Sequence, residues 1–492
     1  MSSSTARIVE DDERHAATAV PALDPRTRLL LEGPIVRTLL RLGGPNMLVM
    51  FAQAAAGLIE TYFVGQLGTD ALTGMALVFP LVMLMQMTSA GAMGGGIASA
   101  VARALGARRR DDANALVGHA LWIALGFGLV FTLVMWVGGR ALYARMGGQG
   151  ASLDAAMTYS NWVFAGAVLV WLFNSMAALI RGTGNMRVPA NVTIAGTVLL
   201  VPMSQVFIFG IGGWGGLGIA GGALALLAYY ALGCVALGLY LASRHSLLKP
   251  SWASVTTLRR ALFVDILKVG LVGTVSTVAT NLAIGIATAQ VGGFGPAAIA
   301  GYGTASRLEY LLVPLVFGFG GPLVAMVGTC IGAGQRERAV RAAWIGAGLS
   351  AGITEAIGLA AAFWPQAWLS LFGHDPLMLE AGTQYLRIVG PVYGFFGLAL
   401  SLYFASQGAG KLMWPVWGNV ARLVVAGAGG WLMLHAGFGL TGVFAAQAAG
   451  LVVYGLLNSG AILAGAWFGP LRWPLSLGAG AAAGKKEAML AP

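Results

Sequence analysis

Residues 91–113, GAMGGGIASAVARALGARRRDDA, return 226 positions later as residues 317–339, FGFGGPLVAMVGTCIGAGQRERA. The pair keeps Gly94/Gly320, Gly95/Gly321, Gly106/Gly332, Ala107/Ala333, Arg110/Arg336, an acid at Asp111/Glu337, and Ala113/Ala339. A second match has the same offset, RGTGNMRVP (181–189) with QGAGKLMWP (407–415), and LGTDALTGMA (67–76) meets FGPAAIAGYG (294–303) at offset 227. Self-similarity at one fixed long spacing means a structural unit written twice.

What the unit contains follows from hydropathy. Of 492 residues, 58% are hydrophobic and only 10% charged, with mean hydropathy +0.78. Soluble domains carry about 25% charged residues, so this chain spans a membrane many times. About 20 apolar residues cross a bilayer as a helix. Bounded by Gly, Pro and charge clusters, twelve runs qualify: 37–65, 72–104, 115–139, 155–180, 188–210, 217–242, 262–290, 298–330, 341–364, 381–406, 413–435 and 440–467. Only helices or closed barrels satisfy the backbone in hydrocarbon. The runs are continuous and not alternating, so helices are expected.

Six spans per unit is an even number, which preserves orientation. The expected fold is therefore an all-α integral membrane protein. Its twelve transmembrane helices form two pseudo-symmetric six-helix bundles, parallel repeats around a central cleft. The first bundle covers 37–242 and the second 263–468, joined by a basic cytoplasmic linker at 243–262. Residues 1–36 read as a disordered cytoplasmic tail and 469–492 as a second one. Repeats of this kind suit carriers that rock one half against the other.

Positive charge sets the orientation. Of 29 Lys and Arg, Arg140 and Arg145 fall in loops of one side, Arg307, Arg387 and Arg422 within spans, and the other 24 at the tails and the opposite loops. Both termini are thus placed in the cytoplasm. The same asymmetry accounts for the net charge of +11 without a nucleic-acid partner. Cys234 and Cys330 sit in apolar runs, and His119, His245, His374 and His435 are scattered, so no disulfide framework or metal site is expected. No Walker A loop, HExxH or GxSxG sequence occurs, and no cofactor is expected.

Charge inside the spans points to function. A carboxylate at depth costs about 2.5–3.5 kcal/mol by insertion scales, so it should face a cavity or a partner. Glu60 shares a stripe with Asn46 and Gln53, each seven residues apart, and a helix drifts only about 20° per heptad. The stripe should line water or substrate. Arg307 and Glu309 lie about ten residues into the eighth span. Glu355, mid-span in the ninth, is a substrate or proton site or else a structural partner of Arg387 or Arg422. A carboxylate whose hydration alternates can take up a proton on one side and release it on the other, or it can hold Na⁺ or a cationic substrate. Thioethers and aromatic faces suit apolar cations, which adds Met83, Met87, Tyr393 and Phe396 to the cleft candidates. Asn174 and Asn281 join them as polar groups within spans.

These residues carry a resemblance. PNMLVMFAQAAAGLIETYFVGQLG in span one, RGTGNMRVP between spans four and five, and GYGTASRLEYLLVPLVFGFG with IGAGQRERA in the second half resemble the multidrug and toxic compound extrusion (MATE) transporters of bacterial type. The resemblance covers residues 37–468. It implies an antiporter of the bacterial inner membrane that expels organic, often cationic compounds in exchange for H⁺ or Na⁺. It places Glu60 where the family usually has Asp, and Glu309 on the acid of an Arg-x-Glu segment, so both are expected to couple the cation. Leu200 and Ser204 stand where many relatives carry an Asn and an Asp, and Phe396 where some carry an acid. Depleted oxygen ligands favour H⁺ over Na⁺. The partners expected are small organic substrates and membrane lipids, with the chain a monomer. A flippase of lipid-linked precursors and an intramembrane enzyme using Glu60, Glu309 and Glu355 are the competing readings.

Overall fold

The structure is a computed structural model, and it describes residues 23–251 and 256–469. The expected tails outside that range, 1–22 and 470–492, and linker residues 252–255, lie beyond the described residues.

Each apolar run forms a helix. The first six spans are Ile35–Gly65, Thr69–Gly106, Arg110–Arg145, Gly150–Gly182, Arg187–Phe209 and Ile219–Ala242. The second six are Arg260–Gly292, Pro296–Gly332, Arg336–Phe363, Pro376–Gly408, Met413–His435 and Gly439–Leu463. Among the described residues, ten are helices long and apolar enough to cross a membrane. The fourth span makes an eleventh, bent by 46° between Ala165 and Ala167. The eleventh in sequence, Met413–His435, is less apolar because Asn419 and Arg422 interrupt it. The chain is a multi-pass membrane protein.

The helices pack as the repeat demands. In the first half, span one packs on five, two on four, three on four, four on six and five on six. The second half repeats every one of these pairings with the span number raised by six. Between the halves, span one packs on eight, and its counterpart pair is span seven on two. Spans two and eight also meet, along small residues that let backbones approach.

Besides the bent fourth span, two more spans break their helical ladder. Span two contains a π-helical turn, Met87–Met93, and span ten a 3₁₀ turn, Gly390–Val392. Such turns recur at functional sites and hinges. The stretch read as a disordered tail also contains a helix, Pro25–Glu32. Asp24 caps it by accepting the Arg26 N–H at 2.9 Å, and Pro25 begins it at a position where its missing N–H costs nothing.

Candidate functional site

Glu60 is 4% exposed, on the face of span one that points into its own half. Its carboxylate accepts the hydroxyl of Tyr159, itself buried, from span four. Tyr159 belongs to Gly150–Ala165, the first limb of the bent span. Ser204, buried on span five, has no partner for its hydroxyl, and Leu200 one turn earlier is fully buried. Neither position offers a carboxylate, so Glu60 supplies the charge of this site.

A second polar group lies at the π turn. Asn174 donates to Ser89 Oγ at 2.8 Å and to Gln86 Oε1 at 3.1 Å, and Gln86 donates to the Tyr230 hydroxyl. Asn174 is therefore bound up inside the first half.

The second half holds a similar arrangement. Glu309, on span eight, accepts the hydroxyl of Tyr385 from span ten. Tyr302 meets Tyr385 edge to face at 5.3 Å, and Tyr393 adjoins the same pair. Tyr385 stands 226 residues after Tyr159, the offset of the repeat. Each half thus aims the same repeat tyrosine at a carboxylate. The carboxylates come from different helices, span one in the first half and span eight in the second.

The other predicted residues disperse. The stripe of Asn46, Gln53 and Glu60 does not face one space. Asn46 crosses to span eight, donating to the Phe317 carbonyl at 2.7 Å, whereas Glu60 turns to span four. The heptad drift and Pro45, which interrupts the helix ladder beside Asn46, separate the two ends. Gln53 lies half-buried between them. Asn281 is exposed and bonds back to the Thr277 carbonyl of its own helix at 2.9 Å. Met83 is half-buried and Met87 exposed. Tyr393 and Phe396 belong to the core of the second half, with the Arg422 guanidinium 5.9 Å from the Phe396 ring.

Glu355 caps a helix. Its Oε2 accepts the Gly394 N–H at 2.6 Å, at the start of Tyr393–Gly408 just after the 3₁₀ turn. A helix start leaves N–H groups unpaired and favours negative charge. Glu355→Ala should cost about 1–3 kcal/mol of stability while transport per folded molecule persists. Thermal unfolding in detergent beside a transport assay checks this, and lost transport at unchanged stability would make Glu355 a site residue instead.

Sequence reasoning missed Tyr159 and Tyr385. Their shared offset of 226 was the available signal.

Twelve spans in two repeated halves, each setting a tyrosine hydroxyl on a carboxylate, Glu60 buried and Glu309 half-buried, are the architecture of a multi-pass membrane protein with a duplicated polar site. Comparison with known proteins gives the family. The profile described as MatE matches twice, over residues 45–206 and 272–432, and the chain belongs to the MATE family. It is a transporter and not an enzyme. The "FAD transporter" of Shewanella oneidensis is 25% identical over 396 residues, 80% of this chain and 87% of that one. The "Probable multidrug resistance protein NorM" of Deinococcus radiodurans is 28% identical over 439 residues, 87% and 95% of the two chains. A solved structure described as MATE in the bent conformation matches with a TM-score of 0.82 at 22% identity, covering 89% of this chain and 96% of that one.

Proposed function

We propose that this transporter is an antiporter that exports organic compounds, often cationic and amphipathic, in exchange for H⁺. The observation that carries the reading is Glu60, a buried carboxylate that accepts a neutral tyrosine hydroxyl. Desolvation disfavours the charged form of a carboxyl, so a proton rather than an ion shell satisfies such a site. A Na⁺ ion would need several oxygens, and Leu200 and Ser204 on span five supply at most one hydroxyl. Glu309 under Tyr385 is the second proton acceptor in this reading. The chain works as a monomer in a bacterial inner membrane with both termini in the cytoplasm, and its halves rock to expose the site to each side in turn.

Liposomes containing the native chain test this. They are given a pH gradient and a Na⁺ gradient separately, with a fluorescent organic cation as cargo. FAD is tested in parallel, because one relative is named for it. Export driven by the pH gradient alone is the expected result. Export driven only by Na⁺ would overturn the coupling ion, and movement of lipid-linked precursors alone would overturn the substrate class.

A further inference from the structure

We propose that two amide side chains, Asn46 and Gln407, form a symmetric clasp that closes the basic-loop end of the protein and must release for the halves to rock. Gln407, on span ten, crosses to the first half and donates to the Gly91 carbonyl at 3.1 Å and the Ala92 carbonyl at 3.3 Å. Asn46, on span one, crosses the other way. It donates to the Phe317 carbonyl at 2.7 Å and the Gly318 carbonyl at 3.3 Å. Phe317 and Gly318 are the repeat counterparts of Gly91 and Ala92, each 226 residues later. Two different residues, from helices that the repeat does not relate, have therefore converged on the same pair of carbonyls in opposite halves.

A helix carbonyl has a second lone pair, so it can accept from a side chain as well as from its own ladder. The ladder is also disturbed at both places, by different means. In span two the π turn Met87–Met93 disturbs the ladder around Gly91 and Ala92. In span eight Pro322 has no N–H to offer Gly318, four residues back. Each amide also lies flat across a repeat glycine. A Cβ on Gly95 would sit 2.0 Å from Gln407 Cδ, and one on its counterpart Gly321 would sit 3.1 Å from Asn46 Nδ2. This accounts for the retention of that glycine in both copies of the repeat.

Gln407 is fully buried, and among the described residues its Oε1 has no partner, so parting the halves would give that oxygen access to water. Arg103 lies beside this contact. It joins the halves through Asp265 at 2.8 Å and the Gly408 carbonyl at 3.1 Å, and the Asp265 side chain is 45% exposed.

The proposal rests on the rocking motion proposed above, but its readout is a distance and does not depend on the coupling ion. Spin labels replace the exposed Arg187 and Gln335, one in each half at the basic-loop end, in the full chain lacking Cys234 and Cys330. Asn46→Leu with Gln407→Met removes both donors at nearly constant volume. The expected result is a shift of the main inter-label distance to longer values. Gly95→Ala, which evicts Gln407 without altering it, should shift it the same way and serves if the double variant fails to fold. Asn419→Leu removes an amide that bonds Ser276 and Thr280 within one half, and it should leave the distance unchanged. An unchanged distance in the clasp variants overturns the proposal. So does an equal shift in Asn419→Leu, which would mean general loosening.

Discussion

Glu60→Gln is expected to accumulate as a folded, monodisperse protein whose pH-driven export falls to that of protein-free liposomes. Glutamine keeps the shape of the side chain, and its carbonyl can still accept the Tyr159 hydroxyl that Glu60 now holds. It can neither ionise nor carry a proton. Burying a carboxylate at membrane depth costs about 2.5–3.5 kcal/mol, so the neutral amide should leave thermal stability equal or raised. Tyr159→Phe removes the hydroxyl and keeps the carboxylate, so it should slow export and not abolish it. Glu60→Ala would add a cavity beside a buried tyrosine and confuse loss of coupling with loss of packing. Transport by the pH gradient and unfolding in detergent, measured on the same preparations, separate the two. Native export rates in Glu60→Gln would remove Glu60 from the mechanism.

The fold was legible because it depends on quantities that are local or periodic. Twelve apolar runs need only length and hydropathy, and the repeat needs only a fixed offset, so spans and pairing by half follow from the chain alone. The site was half legible. A lone glutamate in an apolar run announces itself by its cost, so Glu60 and Glu309 stood out. Their partners did not, because Tyr159 and Tyr385 are ordinary residues until a helix from elsewhere sets a carboxylate beside them. The stripe of Asn46, Gln53 and Glu60 failed for the complementary reason. Equal spacing fixes where side chains leave a helix, but different helices pack against its two ends. Glu355 was ambiguous until the 3₁₀ turn in span ten, which no hydropathy pattern reveals, exposed the N–H that it caps. The helix Pro25–Glu32 carried a signal, an Asp cap followed by Pro, within a segment whose polarity suggested a tail.

Gly106→Ala should abolish export by adding one methyl group. An ideal Cβ at Gly106, on span two, would lie 2.1 Å from the Thr329 carbonyl oxygen of span eight. Its repeat counterpart Gly332 makes the reciprocal approach, 2.1 Å from the Arg103 carbonyl oxygen. In both cases the obstacle is backbone, which cannot turn aside as a flexible side chain would. The clash involves both halves at once, so neither half needs to unfold to relieve it. It is relieved by parting the halves at the basic-loop end. The variant should therefore fold, bind detergent and retain native helix content, yet be unable to reach the closed arrangement on which a transport cycle depends. Gly126→Ala in span three, where a Cβ would meet nothing within 4 Å, should transport as the native chain does. Membrane insertion, circular dichroism and pH-driven export of the two variants side by side check this. Native export by Gly106→Ala would mean that the close meeting of spans two and eight is not an obligatory step of the cycle.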